Sequence, residues 1–177
     1  MICALPVRMN CGKCGCTRIS IICLVCQSID CCSNVIKELL DRFQPDKIII
    51  EPSGVGKLSD IIKACSDSLI LPFATVKASI TVADVKRCKR YLDNFGEFFE
   101  DQIQNADLIL LSRTELFPDK VNDAYKLMKS LNPHAVILSK PRDQIHAAEM
   151  ISPQDHHHEH TECCGHARGC GCETIYD

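Results

Sequence analysis

The sequence is short of several things at once. It has no tryptophan, and its formal net charge is only −3, so it lacks the basic stripe of a dedicated nucleic-acid binder. It has no long hydrophobic run. The longest, such as Ile19 to Val25, are interrupted and far too short to span a bilayer. No clean apolar segment follows Arg8 and Lys13, so a secretory signal is not expected. With 46% hydrophobic and 24% charged residues, neither a disordered nor a collagen-like chain fits. The 177 residues suit one domain with a real core.

Cysteine is what the sequence has in excess, and its placement says more than its count. Eight of the 14 fall within residues 1–32: Cys3, Cys11, Cys14, Cys16, Cys23, Cys26, Cys31 and Cys32. Four more close the chain, and only Cys65 and Cys88 lie between. A secreted disulfide scaffold spreads its cysteines through the fold it staples. Here the middle of the chain would fold without them, which points to a reducing, cytoplasmic setting with thiols available for metal.

Residues 33–151 alternate between helical and strand patterns. Ser33 reads as an N-cap, followed by Val35, Ile36, Leu39, Leu40 and Phe43 at helical spacing, with Pro45 as the stop. Lys47–Glu51, Asp107–Leu111 and Ala135–Leu138 are short apolar runs, as expected for strands buried on both faces. Thr75–Val85 reads as a strand. Helices are expected over Ser59–Cys65, residues 86–105 with a break at Asn94–Gly96, Asp119–Leu131, and Asp143–Met150. This alternation implies a mostly parallel sheet covered by helices on both faces. Ligands of such sheets bind at the carboxyl ends of the strands, just after Ile50, Val82, Leu111 and Leu138.

Three domains or segments follow: an irregular, Cys-rich stretch over 1–32, an α/β domain over 33–152, and a tail over 153–177. The tail holds His156, His157, His158, His160, Cys163, Cys164, His166, Cys170 and Cys172 with almost no aliphatic residues. It cannot form a core and is expected to be disordered until metal orders it. Imidazole and thiolate are preferred ligands of Zn²⁺ and other transition metals. The histidine run is broken by Glu159 and continues into cysteines, which does not suit a purification tag. At the other end, Cys11-x2-Cys14 and Cys23-x2-Cys26 have local metal-ligand spacing.

Two turns sit where nucleotide chemistry would. Glu51-Pro52-Ser53-Gly54 ends a buried strand with a carboxylate suited to Mg²⁺ and a glycine amide suited to a γ-phosphate; the bland alternative is a strand ending in a glycine turn. Ser112-Arg113-Thr114-Glu115 occupies the place where GTP-binding proteins carry Asn-Lys-x-Asp, with each key residue changed to a relative; a helix start is the alternative. The phosphate cradle Gly-x4-Gly-Lys-[Ser/Thr] does not occur. Gly12-Lys13 and Gly56-Lys57 both fail its spacing.

Taken together, these residues resemble the CobW-like branch of the CobW/HypB/UreG metallochaperone GTPases. The likeness is carried by Lys37–Leu40, Ile48–Asp60, Ile80–Asp84, Asn94–Phe99 and Ala106–Leu111, and it covers roughly residues 20–151. It implies an incomplete P-loop-NTPase-like α/β fold and a GTP-binding zinc chaperone serving a client metalloenzyme. It assigns Glu51 and Gly54 to Mg²⁺ and γ-phosphate, and Ser112, Arg113 and Glu115 to the guanine. Cys23 and Cys26 keep two thiolates of a Gly-Cys-x-Cys-Cys metal motif whose other positions are Ile22 and Val25. The family's phosphate loop and C-terminal domain have no counterpart in the sequence. That implies impaired nucleotide binding in a fragment, frame-shift product or degenerate paralogue, and an exposed sheet edge open to self-association. A nucleotide-independent metal-binding or storage protein, or a non-functional remnant, is the competing expectation.

Overall fold

A computed structural model describes residues 2–6, 19–24, 29–52 and 56–151. In chain order the elements are β1 (Ile2–Pro6), β2 (Ile19–Leu24), α1 (Ile29–Phe43), β3 (Lys47–Pro52), α2 (Leu58–Cys65), β4 (Ala78–Asp84), α3 (Cys88–Gln104), β5 (Leu108–Ser112), α4 (Pro118–Leu131), β6 (Val136–Leu138) and α5 (Ala147–Ile151). A short 3₁₀ turn over Arg142–Gln144 precedes α5.

The strands form one sheet in the order β2-β3-β1-β4-β5-β6. Three pairs are parallel: β2 with β3, β4 with β5, and β5 with β6. The central strand β1 is antiparallel to both neighbours, Cys3 lying beside Ile50 and Ile2 beside Ile80. From β2 to β6 the chain crosses the sheet in one direction. Right-handed crossovers then lay every connecting helix on the same face. The core agrees. Ile36 and Leu40 of α1, Ile61 of α2, Ile103 of α3 and Met128 of α4 share one buried cluster with Ile48, Ile50, Ile109 and Leu111 of the sheet. The opposite face carries a smaller cluster of Ala78, Ile80 and Leu108, with Met150 of α5 packed against it. Helices therefore cover both faces, but four against one, and Ile21 (71%) and Val82 (45%) stay exposed on the thinly covered side.

Two expectations change. Ser33 is not an N-cap. The helix begins at Ile29, and the buried Ser33 hydroxyl lies 3.1 Å from Ile29 O and 3.2 Å from Ala64 O. A serine can satisfy its hydroxyl on the preceding turn and on the neighbouring helix, which removes the need to terminate anything. Residues 1–32 are not irregular throughout. Ile2–Pro6 and Ile19–Leu24 are strands, because the ladder of β3 offers partners on both sides. The break expected in α3 falls at Phe95, whose φ of −126° and ψ of 24° leave the helical region. Among the described residues no helix is long and apolar enough to cross a membrane.

Asn132 ties the far end of the sheet together. Its buried amide nitrogen donates to Ile103 O (2.8 Å), Gln104 O (3.1 Å) and Ala106 O (3.0 Å). Its oxygen accepts from His134 N (3.1 Å) and Ala135 N (3.0 Å). The end of α3 and the entry to β6 thus share one side chain. Asn132→Ala should lower unfolding free energy by about 3 kcal/mol, read from urea denaturation, because several buried backbone groups lose their partners together. Gln44 ends α1 in the left-handed region at φ 44°, with its N–H on Leu40 O at 3.1 Å. Glycine pays no Cβ penalty there, so Gln44→Gly should raise stability by about 0.5 kcal/mol in the same assay.

Candidate functional site

The carboxyl edge of the parallel strands is where ligand groups collect. Here it comprises Glu51 and Pro52 of β3, Asp84 of β4, Ser112 of β5 and Leu138 of β6. Because β1 runs the other way, it brings its first residues, not its last, to this edge. The edge is thereby divided into two halves.

In the first half Glu51 is exposed, and the ladder of β2 and β3 sets Cys23 beside it. Glu51 makes no ion pair among the described residues. The turn that follows is fastened to α3. Gln102 Nε2 donates to Gly56 O at 2.8 Å, and Ser59 N to Asp101 Oδ1 at 3.0 Å. Lys57 forms an ion pair with Glu97, and its ammonium lies 5.9 Å from the Phe98 ring centre. The hydrogen bond to Glu97 holds the Lys57 pKa above its ordinary value. Lys57 is thus directed onto α3 rather than into a phosphate cradle.

The second half contains a cavity of about 590 Å³. Leu110, Ser112, Arg113, Glu115, Arg142 and Met150 contribute to its wall. β5 and the turn after it deliver four of these residues. Arg113 adopts a left-handed φ of 61°, which bends the chain back over the strand ends. Thr114 is buried, its hydroxyl 3.1 Å from Glu115 Oε2 and 3.5 Å from Lys140 O. Ser112 Oγ lies 3.4 Å from Ala83 O. The segment after β6 closes the cavity. Lys140 Nζ binds Glu149 Oε2 at 2.9 Å, and His146 N donates to Glu149 Oε1 at 3.3 Å. The Lys140 hydrogen bond, with the His146 N–H, keeps the Glu149 carboxyl below its ordinary pKa.

Of the residues expected at a nucleotide site, Ser112, Arg113 and Glu115 come together at one cavity, while Glu51 stands across β1 from them. Gly54 lies outside the described residues. So do Cys26, His156, His157, His158, His160, Cys163, Cys164, His166, Cys170 and Cys172; Cys23 is described as backbone only. Among the described residues no three His, Cys, Asp or Glu side chains converge as metal ligands. The sequence reading passed over Asp84, Arg142 and Met150. Asp84 was within its reach, since it follows Val82 at a strand end. Arg142 and Met150 join the cavity only because the chain after β6 folds back over the thin face, which no local pattern signals.

With the geometry in view, comparison with known proteins is informative. Residues 7–139 match the CobW/HypB/UreG nucleotide-binding domain. The zinc chaperone CobW of a Sinorhizobium species is 31% identical over 137 residues, covering 62% of this chain and 39% of that protein. The zinc chaperone YeiR of Escherichia coli K12 is 25% identical over 91 residues, covering 48% of this chain and 28% of that protein. The chain thus spans well under half the length of these relatives. In fold, it is similar to the crystal structure of the Zn(II)-bound YjiA GTPase from E. coli, with a TM-score of 0.52 and 21% identity over 65% of this chain and 36% of that one. The P-loop-NTPase-like α/β architecture and the match over residues 7–139 agree: the chain belongs to the CobW/HypB/UreG family.

Proposed function

We propose that this chain is a zinc-handling member of its family in which the triphosphate half of the GTP site does not work. The direction of β1 is the observation that carries this reading. A phosphate cradle is a glycine-rich loop that leaves the carboxyl end of a strand and enters a helix at the ligand edge. β1 ends with Pro6 beside Lys47, at the amino end of β3 and therefore at the edge opposite Glu51. The sequence also contains no Gly-x4-Gly-Lys-[Ser/Thr]. Glu51 would still suit Mg²⁺, and among the described residues Lys57, the lysine nearest it in sequence after the turn, is paired with Glu97 on α3 instead. GTP hydrolysis therefore has no derivable step here.

Zinc handling rests on donor chemistry. Cys23 and Cys26 supply thiolates, and His156 to Cys172 supply imidazoles and more thiolates, all in a form that reducing, cytoplasmic conditions preserve. A tail with many overlapping ligand sets exchanges metal readily, which suits delivery to a client metalloenzyme. If no client exists, the same chemistry serves storage. β2 forms an outer strand of the sheet with Ile21 exposed, which is where self-association would start.

Purified protein with Mg²⁺ and GTP should release phosphate no faster than a no-protein control. A clear Mg²⁺-dependent rate would sink the reading of an inactive triphosphate site. In equilibrium dialysis against Zn²⁺, the full chain should bind more metal than a chain ending at Ser152. Equal stoichiometry would remove the tail from the metal site.

A further inference from the structure

The two edges of the sheet are guarded differently. β6, at one end, offers only the three residues Val136–Leu138. β2, at the other, is six residues long and has neither charge nor proline between Ile19 and Leu24. Its ladder to β3 runs from Ile19 to Leu24 without a bulge. Soluble proteins keep an edge strand from pairing by making it short, charged, bulged or proline-bearing. β6 is protected by its shortness, whereas β2 has none of these devices. An edge strand turns a row of backbone N–H and C=O groups outward, and a further strand satisfies them.

Two apolar side chains flank this edge, one on each face of the sheet. Ile21 is 71% exposed on the thinly covered face. Val35 of α1 is 38% exposed on the other. A helix turns by about 100° per residue. Ser33 faces α2, with its hydroxyl on Ala64 O, and Lys37 faces the Phe73 ring beyond α2. Val35 lies two residues from each and so points the opposite way, over the outer edge of β2. Glu38 and Arg42, three and seven positions on, share that flank and pair with each other at 3.7 Å. The flank therefore carries no net charge to oppose a second copy of itself.

We propose that β2 pairs antiparallel with β2 of a second copy, about a two-fold axis through Ile21, so that the two sheets join edge to edge. This rests on the reading of β2 as the place where self-association starts. Residues directly opposite in an antiparallel pair share a face of the sheet. A two-fold axis must then pass through a residue and not between two. Centred on Ile21, it sets Ile21 against its own copy, Ser20 against Ile22 and Ile19 against Cys23, and it covers the most exposed apolar side chain of the strand. The helices fit the same axis. α1 connects β2 to β3 and packs Ile36 and Leu40 onto the face that holds Ile48 and Ile50. With strands about 4.8 Å apart, α1 over that pair stands about one strand spacing from the axis. The two copies of α1 then run antiparallel about 10 Å apart, an ordinary helix-packing distance, with Val35 between them. A second copy is favoured over a different chain because one operator repeats β2, Ile21 and Val35 at a single interface with no unmatched charge. β6 is too short to receive a six-residue strand, so pairing closes at two copies instead of growing head to tail.

The test uses the full chain with EDTA and a thiol reductant, which remove bridging metal and disulfides. Sedimentation velocity over a range of concentrations should show a reversible species of twice the 19.7 kDa chain mass, and nothing larger. Hydrogen exchange should slow about tenfold or more in the amides of residues 19–23 as the protein is concentrated, because those amides gain partners. Ile21→Lys sets two like charges against each other on the axis, and Val35→Glu does the same between the helices. Each should raise the dimer Kd about tenfold or more, with the far-UV circular dichroism unchanged because both positions are exposed. Should Ile21→Lys fail to fold, Val35→Glu decides. A dimer whose β2 amides exchange as fast as in the monomer, a Kd that neither variant moves, or growth beyond two copies overturns the edge pairing and leaves self-association standing. A monomer at every concentration overturns both, and leaves zinc handling to be judged by the dialysis.

Discussion

The direction of the central strand governs what the rest of this sheet can hold. β1 pairs antiparallel with both β3 and β4, filling the gap between two parallel blocks. Backbone hydrogen bonding is satisfied equally well by either direction at a central position, so the sheet closes and the core forms. What changes is the edge at which the strand ends. With β1 in this direction, Pro6 lies at the amino edge, and the carboxyl edge receives Ile2 and Cys3 instead.

The same topology explains the uneven covering of the sheet. Crossing from β2 to β6 without reversal stacks α1 to α4 on one side, and only the short α5 returns to the other. That asymmetry makes the cavity. With Val82 and Leu110 left on the thin face, the chain after β6 can fold over them, and Arg142, Ile145 and Met150 become its wall. Its charged groups are few: Arg113 paired with Asp84, together with Glu115 and Arg142.

Much of this was legible from the residues. The apolar runs at Lys47–Glu51, Asp107–Leu111 and Ala135–Leu138 lie within one residue of strands β3, β5 and β6, because a strand buried on both faces can hardly be anything but apolar. The rule that strand ends carry ligands drew attention to Ser112, Arg113 and Glu115, and those residues line one cavity. What escaped reading was non-local. Ser33 has the composition of a cap but the surroundings of a helix interface, and only Ala64, 31 residues away, reveals that. Ile2–Pro6 is too short to identify as a strand without knowing that β3 and β4 await a partner. Asp84 looks like one more strand-end acid until Arg113 turns back to meet it.

The ladder between β2 and β3 bears on how metal and nucleotide chemistry relate in this chain. Cys23 and Glu51 are directly paired across adjacent strands, whose backbones run about 4.8 Å apart. A metal held near one position and a cation held near the other would repel each other at that range, since two charges so close interact strongly even where the effective dielectric is moderate. Were both positions occupied, charge would couple them without a moving loop, and that coupling would be reciprocal by linkage.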